Sequence, residues 1–327
     1  MVEPGRRHVL AGILVPVLSV LERASTARAQ GGHKVERLIV PLSVGSAVDI
    51  VARILSEPFG TALDATVVVD NQPGAGSVTG TTQIVRAPKD GSTVGMVSSN
   101  HVINPSIYKS IPFDSLADIT PISVVCTSGL VLVVHPSVPV KTAAELVAYA
   151  RAQPDGLFYG SAGNGSVLHL AAEMFRSLSG APLKQVPYRG TGPLMNDLVG
   201  GQVPMAFVAI AAAAPHVSSG KLRAIGVSTA ARSPLIGDVP TLAEQGIQGF
   251  DFEAWIALIG PAGLPAEMVA RLYKAVKTAL ATPRVQEGLR QQGFVSVGST
   301  PEEAAPFFAS ELAKHARLAR EAGLRLE

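Results

Sequence analysis

The sequence predicts an α/β fold built as two lobes. Short β-branched runs alternate with amphipathic helical patterns along the chain, the order of strand and helix units that wind into largely parallel sheets. At 327 residues the chain is longer than one core usually supports. Its 24 prolines and 32 glycines form no repeat and fall between apolar segments, where turns belong.

The elements can be taken in order. Strand candidates fall at 37–41, 66–70, 93–98, 130–135, 158–160, 184–187, 205–208, 223–227 and 254–259. Apolar residues three and four apart predict helices at 48–55, 143–152, 167–178, 268–280 and 302–322. Ser46, Thr142, Thr241 and Thr300 each place a hydroxyl at a helix start, with Asp49, Glu145, Glu244 and Glu303 three residues on to reach back to a free backbone N–H. Pro301 takes a first helical position, where its missing donor costs nothing.

Ahead of the first strand, Arg6 and Arg7 precede an uncharged stretch at 9–21, followed by the triplet Ala27-Arg28-Ala29. A basic region, an apolar region and an A-x-A site make residues 1–29 an export signal cleaved near Ala29. Thirteen apolar residues are too few to span a bilayer of about 30 Å. The arginine pair also resembles a twin-arginine signal, and both export routes stay open. Removing 1–29 takes away four arginines and two glutamates and leaves 23 basic against 23 acidic residues. A mature chain this neutral is no nucleic-acid binder. Cys126, the single cysteine, reads as a small buried hydrophobe in the apolar run 122–134 and excludes an intramolecular disulfide.

Two segments could carry chemistry. The strand at 37–41 runs through Leu42-Ser-Val-Gly-Ser46 directly into a capped helix, which puts free N–H groups and the positive end of a helix at a sheet edge. Phe158-Tyr-Gly-Ser-Ala-Gly-Asn-Gly-Ser166 does the same before the helix at 167–178, and its glycines let backbone donors approach a small anion. Catalytic motifs fail by comparison. The segment Tyr159-Gly-Ser161-Ala-Gly163 lacks the glycine two before the serine that a nucleophile elbow needs. Gly74-Ala-Gly76-Ser-Val-Thr-Gly80 follows Asn71-Gln-Pro73 rather than a strand and reads as a turn and helix start, not a dinucleotide site. The histidines have no metal-ligand spacing, so neither a metal nor a cofactor is expected. His169 lies one turn into the helix after the glycine loop, facing either the pocket or the core.

With those loops in view, residues 35 to about 325 resemble the Bug/TctC family of periplasmic solute-binding proteins that serve tripartite tricarboxylate transporters. The matching stretches are Arg37-Leu-Ile-Val-Pro41 with Asp49-Ile-Val-Ala-Arg53, Asn71-Gln-Pro-Gly-Ala-Gly76, Asn104-Pro105, Tyr159 to Ser166 with His169-Leu-Ala171, and Val186-Pro-Tyr-Arg-Gly190. Asp197-Leu-Val-Gly-Gly-Gln-Val203, Gly220-Lys-Leu-Arg223, Asp238-Val-Pro-Thr241 and Gly260-Pro-Ala-Gly263 continue the match in order.

The resemblance implies a two-lobed, type II periplasmic-binding-protein-like fold with a carboxylate-binding cleft between the lobes. It places the crossovers near 125–134 and 252–260, lobe one at 33–127 plus 257–327, and lobe two at 128–256. The first loop carries over as Val44, Gly45, Ser46 and Asp49. The second carries over as Ser161, Gly163, Asn164, Gly165 and Ser166, and His169 joins them in the expected ligand-binding set. Ser98, Ser99, Asn100 and Tyr188 are neighbours. A monomer that performs no chemistry and hands its cargo to transporter subunits or a sensor is implied.

Two departures bear on the ligand. Gly45-Ser46 stands where the family commonly has Gly-Gly, which narrows the pocket, and Val208 stands where members often carry an aspartate able to pair a ligand ammonium. A mono- or dicarboxylate, or an aromatic acid, is therefore expected over an acidic amino acid. Two other classes remain as alternatives: an exported serine-dependent hydrolase using the glycine loop, with His169 as base, and the effector-sensing half of a transcription regulator, which the export signal disfavours.

Overall fold

Apolar alternation and well-placed caps set the elements of the computed structural model, which describes residues 34–321. The export signal expected at 1–29 lies outside them. The chain first forms β1 (Lys34–Val40), α1 (Ala47–Leu63), β2 (Ala65–Asn71), a 3-10 turn at Ala75–Ser77, α2 (Val78–Val85), β3 (Thr93–Ser98) and the short α3 (Asn100–Ile103). The long β4 (Ile119–Val134) leads to α4 (Ala143–Ala152), β5 (Leu157–Ser161), α5 (Val167–Ser179), β6 (Leu183–Pro187), α6 (Thr191–Val199), β7 (Met205–Ala209), α7 (Ile210–Ser218) and β8 (Arg223–Val227). It returns through β9 (Glu253–Pro261), α8 (Ala266–Leu280), α9 (Pro283–Gln291), β10 (Val295–Ser296) and α10 (Pro301–Glu321).

The strand order is β2-β1-β3-β9-β4-β7-β5-β6, with β8 and β10 also paired to β4. The β1–β3, β5–β6 and β5–β7 pairs are parallel. Every ladder made by β4 or β9 is antiparallel, so the largely parallel sheet expected from the alternation is corrected to a mixed one. The reason is topological. A chain that leaves one half on β4 and comes back on β9 traverses the middle in opposite directions. Along β4, residues from Ile119 to Gly129 pair with β9, and those from Leu130 to Val134 pair with β7 and β8. Where the partners change, Ser228 takes the Leu130 N–H on its Oγ at 2.9 Å and donates its own hydroxyl to the Phe252 carbonyl.

Successive side chains of a strand point to opposite faces, and both faces are covered here. Leu38 and Val40 enter one apolar cluster with α1 and α8, whereas Ile39 between them enters another with Trp255 and Phe308. The second half has its own core, where Phe207 stacks on Phe250 at 5.7 Å and Phe175 meets both. Cys126 is fully buried within the first of these clusters.

Differences from the sequence reading have local causes. Helix α1 continues beyond residue 55, through Pro58, because Phe59 and Leu63 extend its buried face. Helices α2, α6, α7 and α9 span only eight or nine residues each, too few turns for apolar spacing to mark them along the chain. The Thr241–Glu244 pair closes both of its expected bonds, at 2.9 and 2.7 Å, yet caps only turns, since Gly246 and Gly249 follow with φ of 90° and 76°.

Candidate functional site

The first loop is a main-chain cradle held from behind. Ser46 caps α1 by accepting the Asp49 N–H at 3.3 Å. The Asp49 carboxylate accepts the Gly45 N–H at 2.8 Å on one oxygen and the Arg53 Nε at 2.9 Å on the other. Arg53 also donates to the Asn71 side-chain oxygen at 3.1 Å, and the Asn71 amide donates to the Leu42 carbonyl at 3.1 Å. Burial alone would raise the Asp49 pKa. The bonds from Arg53, Gly45 and Asn71 and the Arg53 charge together outweigh it and hold the carboxyl below its usual value. The Ser46 N–H is held by the Ser43 carbonyl, so the amides left at the helix mouth are those of Ala47 and Val48. Val44 stands 70% exposed at the loop tip.

The second loop repeats this design on another strand. Ser166 caps α5 by accepting the His169 N–H at 3.2 Å, and the Gly165 N–H donates to His169 Nδ1 at 3.1 Å. Ser161 is fully buried; its hydroxyl receives the Gln185 amide at 2.7 Å and its carbonyl receives the Tyr188 N–H at 2.9 Å. Asn164 is exposed at the tip. The capping hydroxyls of Ser46 and Ser166 thus face their own helices, and the first-turn amides of α1 and α5, including Val167 and Leu168, form the mouths. Each mouth carries the positive end of a helix dipole.

A chain of contacts joins the two loops. Pro41, before the first loop, lies so close to Gly80 that a Cβ there would fall 2.6 Å from its Cα. The Asn104 amide donates to the Gly76 carbonyl at 2.8 Å, and a Cβ on Gly76 would meet the Tyr108 hydroxyl at 2.7 Å. Ile107, from the same turn, closes on the second loop: a Cβ on Gly165 would come within 2.3 Å of its Cδ1. The third group of neighbours divides. Ser98 and Asn100 are partly exposed at the end of β3, whereas Ser99 is buried and its hydroxyl accepts the Trp255 N–H at 3.1 Å. Tyr188 is partly exposed beside Gly163 and donates its hydroxyl to Asp197 at 2.9 Å. Val208 is fully buried on β7 opposite Val131 and offers no polar atom.

The sequence pattern described as the tripartite tricarboxylate transporter family receptor matches residues 51–324. The chain belongs to that family. It is 33% identical over 293 residues to the protein BugT of Bordetella pertussis, covering 89% of this chain and 90% of the relative. An R. palustris protein solved with adipate superposes with a TM-score of 0.77 at 30% identity, covering 89% of this chain and 98% of the other. The protein MatC of Rhodopseudomonas palustris, solved with bound malate, gives 0.74 at 28% identity, covering 87% and 98%. The receptor has the two-lobed α/β architecture of these solved structures.

For the receptor, sequence reasoning missed the bracing side chains. Arg53, Asn71 and Asn104 lie within stretches that carried the resemblance; Asp49 and Arg53 are four apart on a predicted helix and their pairing was legible, whereas the Leu42 and Gly76 carbonyls that Asn71 and Asn104 hold are visible only in three dimensions. Gln185 had no signal beyond its place within a strand. The hydrolase constellation does not form: Nδ1 of His169 is occupied by the Gly165 amide, and the Ser161 hydroxyl contacts Gln185 and Gly163 rather than a base. Among the described residues no three His, Cys, Asp or Glu side chains gather to hold a metal ion, and no helix is long and apolar enough to cross a membrane.

Proposed function

We propose that this receptor captures a small mono- or dicarboxylate, or an aromatic acid, outside the cytoplasm, without chemistry. It passes the cargo as a monomer to the membrane subunits of a tripartite-type transporter or to a sensor. One observation supports this above the others: two strand-to-helix loops whose serines are taken up as caps, so that main-chain amides remain at the mouths. Relatives solved with adipate and with malate point the same way. Micromolar affinity corresponds to about 8 kcal/mol. Four amides donating to a carboxylate at about 1.5–3 kcal/mol each reach that range before entropy losses, so no ion pair is required.

The ligand-contacting set proposed is Val44, Gly45 and Ser46 with the α1 amides; Gly163, Asn164, Gly165 and Ser166 with the α5 amides; and Ser98, Asn100 and Tyr188 at the rim. Asp49, Ser99, Ser161 and His169 support it from behind, a role their buried bonds favour. The lobes are 33–127 plus 257–327 and 128–256, which the change of β4 partners at Gly129 and Leu130 supports. Export follows from the basic and apolar segments within 1–29.

A thermal-shift screen with malate, adipate, benzoate and aspartate tests the assignment. Ligand at 100 times its Kd adds about 2.7 kcal/mol of stability. Stabilisation by a carboxylate that is recovered unchanged is the expected result. Hydrolysis of an ester probe abolished by Ser161→Ala would replace capture by the hydrolase. Aspartate binding more tightly than its deaminated analogue would overturn the ligand class.

A further inference from the structure

His169 is 4% exposed, yet it touches the loop that the capture reading assigns to the carboxylate. Its backbone N–H is held by Ser166, and its ring accepts the Gly165 N–H on Nδ1 at 3.1 Å. A ring nitrogen that accepts must be unprotonated, which fixes the proton of the neutral ring on Nε2. That nitrogen points toward Glu173, whose Oε1 lies 3.9 Å away. Glu173 is itself held by the Tyr159 hydroxyl and the Arg176 Nε, each at 2.6 Å. Arg176 continues to the Glu321 carbonyl of α10 at 3.2 Å.

We propose that His169 is a positioning residue of the binding site, whose Nδ1 acceptor fixes the Gly165 amide and with it the anion-binding shape of the second loop. The role rests on the capture reading and goes beyond it by assigning a control point. Protonation would turn Nδ1 into a donor facing the Gly165 donor, so the loop loses its tie when the ring charges. The groups facing the ring are Glu173 and Arg176 on its own helix, Tyr159 on β5 and the Gly165 amide; only Glu173 favours the charged form. Burial is the larger influence and pushes the His169 pKa below its usual 6.5, so the tie is intact at neutral pH and fails on acidification.

The test compares the full-length protein with its His169→Asn and His169→Leu variants by calorimetry with malate and adipate between pH 7.5 and 5. Asparagine places an acceptor oxygen where Nδ1 lies but has no ring to charge; leucine has neither. His169→Asn should bind within about threefold of the parent protein at pH 7.5, whereas His169→Leu should lose about tenfold. The ratio of parent to Asn affinity cancels the ligand's own ionisation and should fall several-fold on acidification. Ligand-free NMR gives a separate reading: the Gly165 amide should exchange at least tenfold faster in His169→Leu, and ring nitrogen shifts should show the proton on Nε2. A folded leucine variant with parental affinity, a parent-to-Asn affinity ratio that stays unchanged at a pH where ring nitrogen shifts show His169 charged, or a neutral ring protonated on Nδ1 would each overturn the proposal. If no carboxylate binds the parent protein while the NMR results hold, the capture reading fails and the loop tie stands.

Discussion

Replacing Gly165 by alanine should damage both the fold and the contact of the second loop with Ile107, and its cost can be divided. Gly165 has φ +69°, a region that costs an alanine about 1–2 kcal/mol. The added methyl would lie 2.3 Å from Ile107 Cδ1 and 3.4 Å from Cγ1, an overlap that buried neighbours relieve at about 1–3 kcal/mol. Gly165→Ala should therefore destabilise by about 2–5 kcal/mol. Ile107→Val deletes the clashing Cδ1 and alone costs about 0.5–1.5 kcal/mol. Because the deleted atom is the one struck, the double variant should recover most of the overlap and leave mainly the backbone strain. Urea unfolding of the parent, both single variants and the double closes the cycle, and a coupling of about 1–3 kcal/mol is expected. Gly237→Ala, at φ +68° with nothing within 4 Å of its Cβ, is the control for strain without overlap. Single-variant costs that add to within about 0.5 kcal/mol would refute the contact.

Three further outcomes follow from buried groups. Asp49→Ala removes the acceptor of the Gly45 amide and the partner of Arg53 and should cost about 1.5–3 kcal/mol in denaturant unfolding, with weaker carboxylate binding; parental stability and affinity together would remove Asp49 as a brace. Burial tends to raise the Glu311 pKa, but bonds and charges from His315 and Lys314 reverse this and bring it to about 2, while the carboxylate also takes the Trp255 indole N–H at 2.9 Å. A depressed carboxyl stabilises above its ordinary value of 4.5 and loses that contribution as pH falls toward about 2, so unfolding midpoints should drop over that window and Glu311→Gln should flatten the drop. Burial raises the Cys126 thiol pKa, so a thiol reagent should label the native protein far more slowly than the unfolded one; equal rates would contradict its burial.

Much of this molecule was legible along the chain because its signals are local. The caps at Ser46, Thr142 and Thr300 open the helices they mark, since the hydroxyl and the amide it accepts are three residues apart. Strands such as β3 and β8 fall on their expected residues because β-branched runs bounded by turns have few other folds. The alternating clusters of Leu38, Ile39 and Val40 follow from the pleat alone. The glycine loops were recognisable because positive φ and close approach leave a compositional mark, as at Gly45 and Gly165.

Pairings between distant segments had no such mark. Nothing near Ser99 announces that its hydroxyl is taken by Trp255, 156 residues on, or near Ile107 that it closes on Gly165. The antiparallel run of β4 against β9 depends on the route of the chain between the halves, which residue order does not encode locally. The sequence therefore determined where amides could be bared to an anion. Only the tertiary structure decided which side chains hold them there, because a buried hydrogen bond needs its partner from whichever segment the fold brings within about 3 Å.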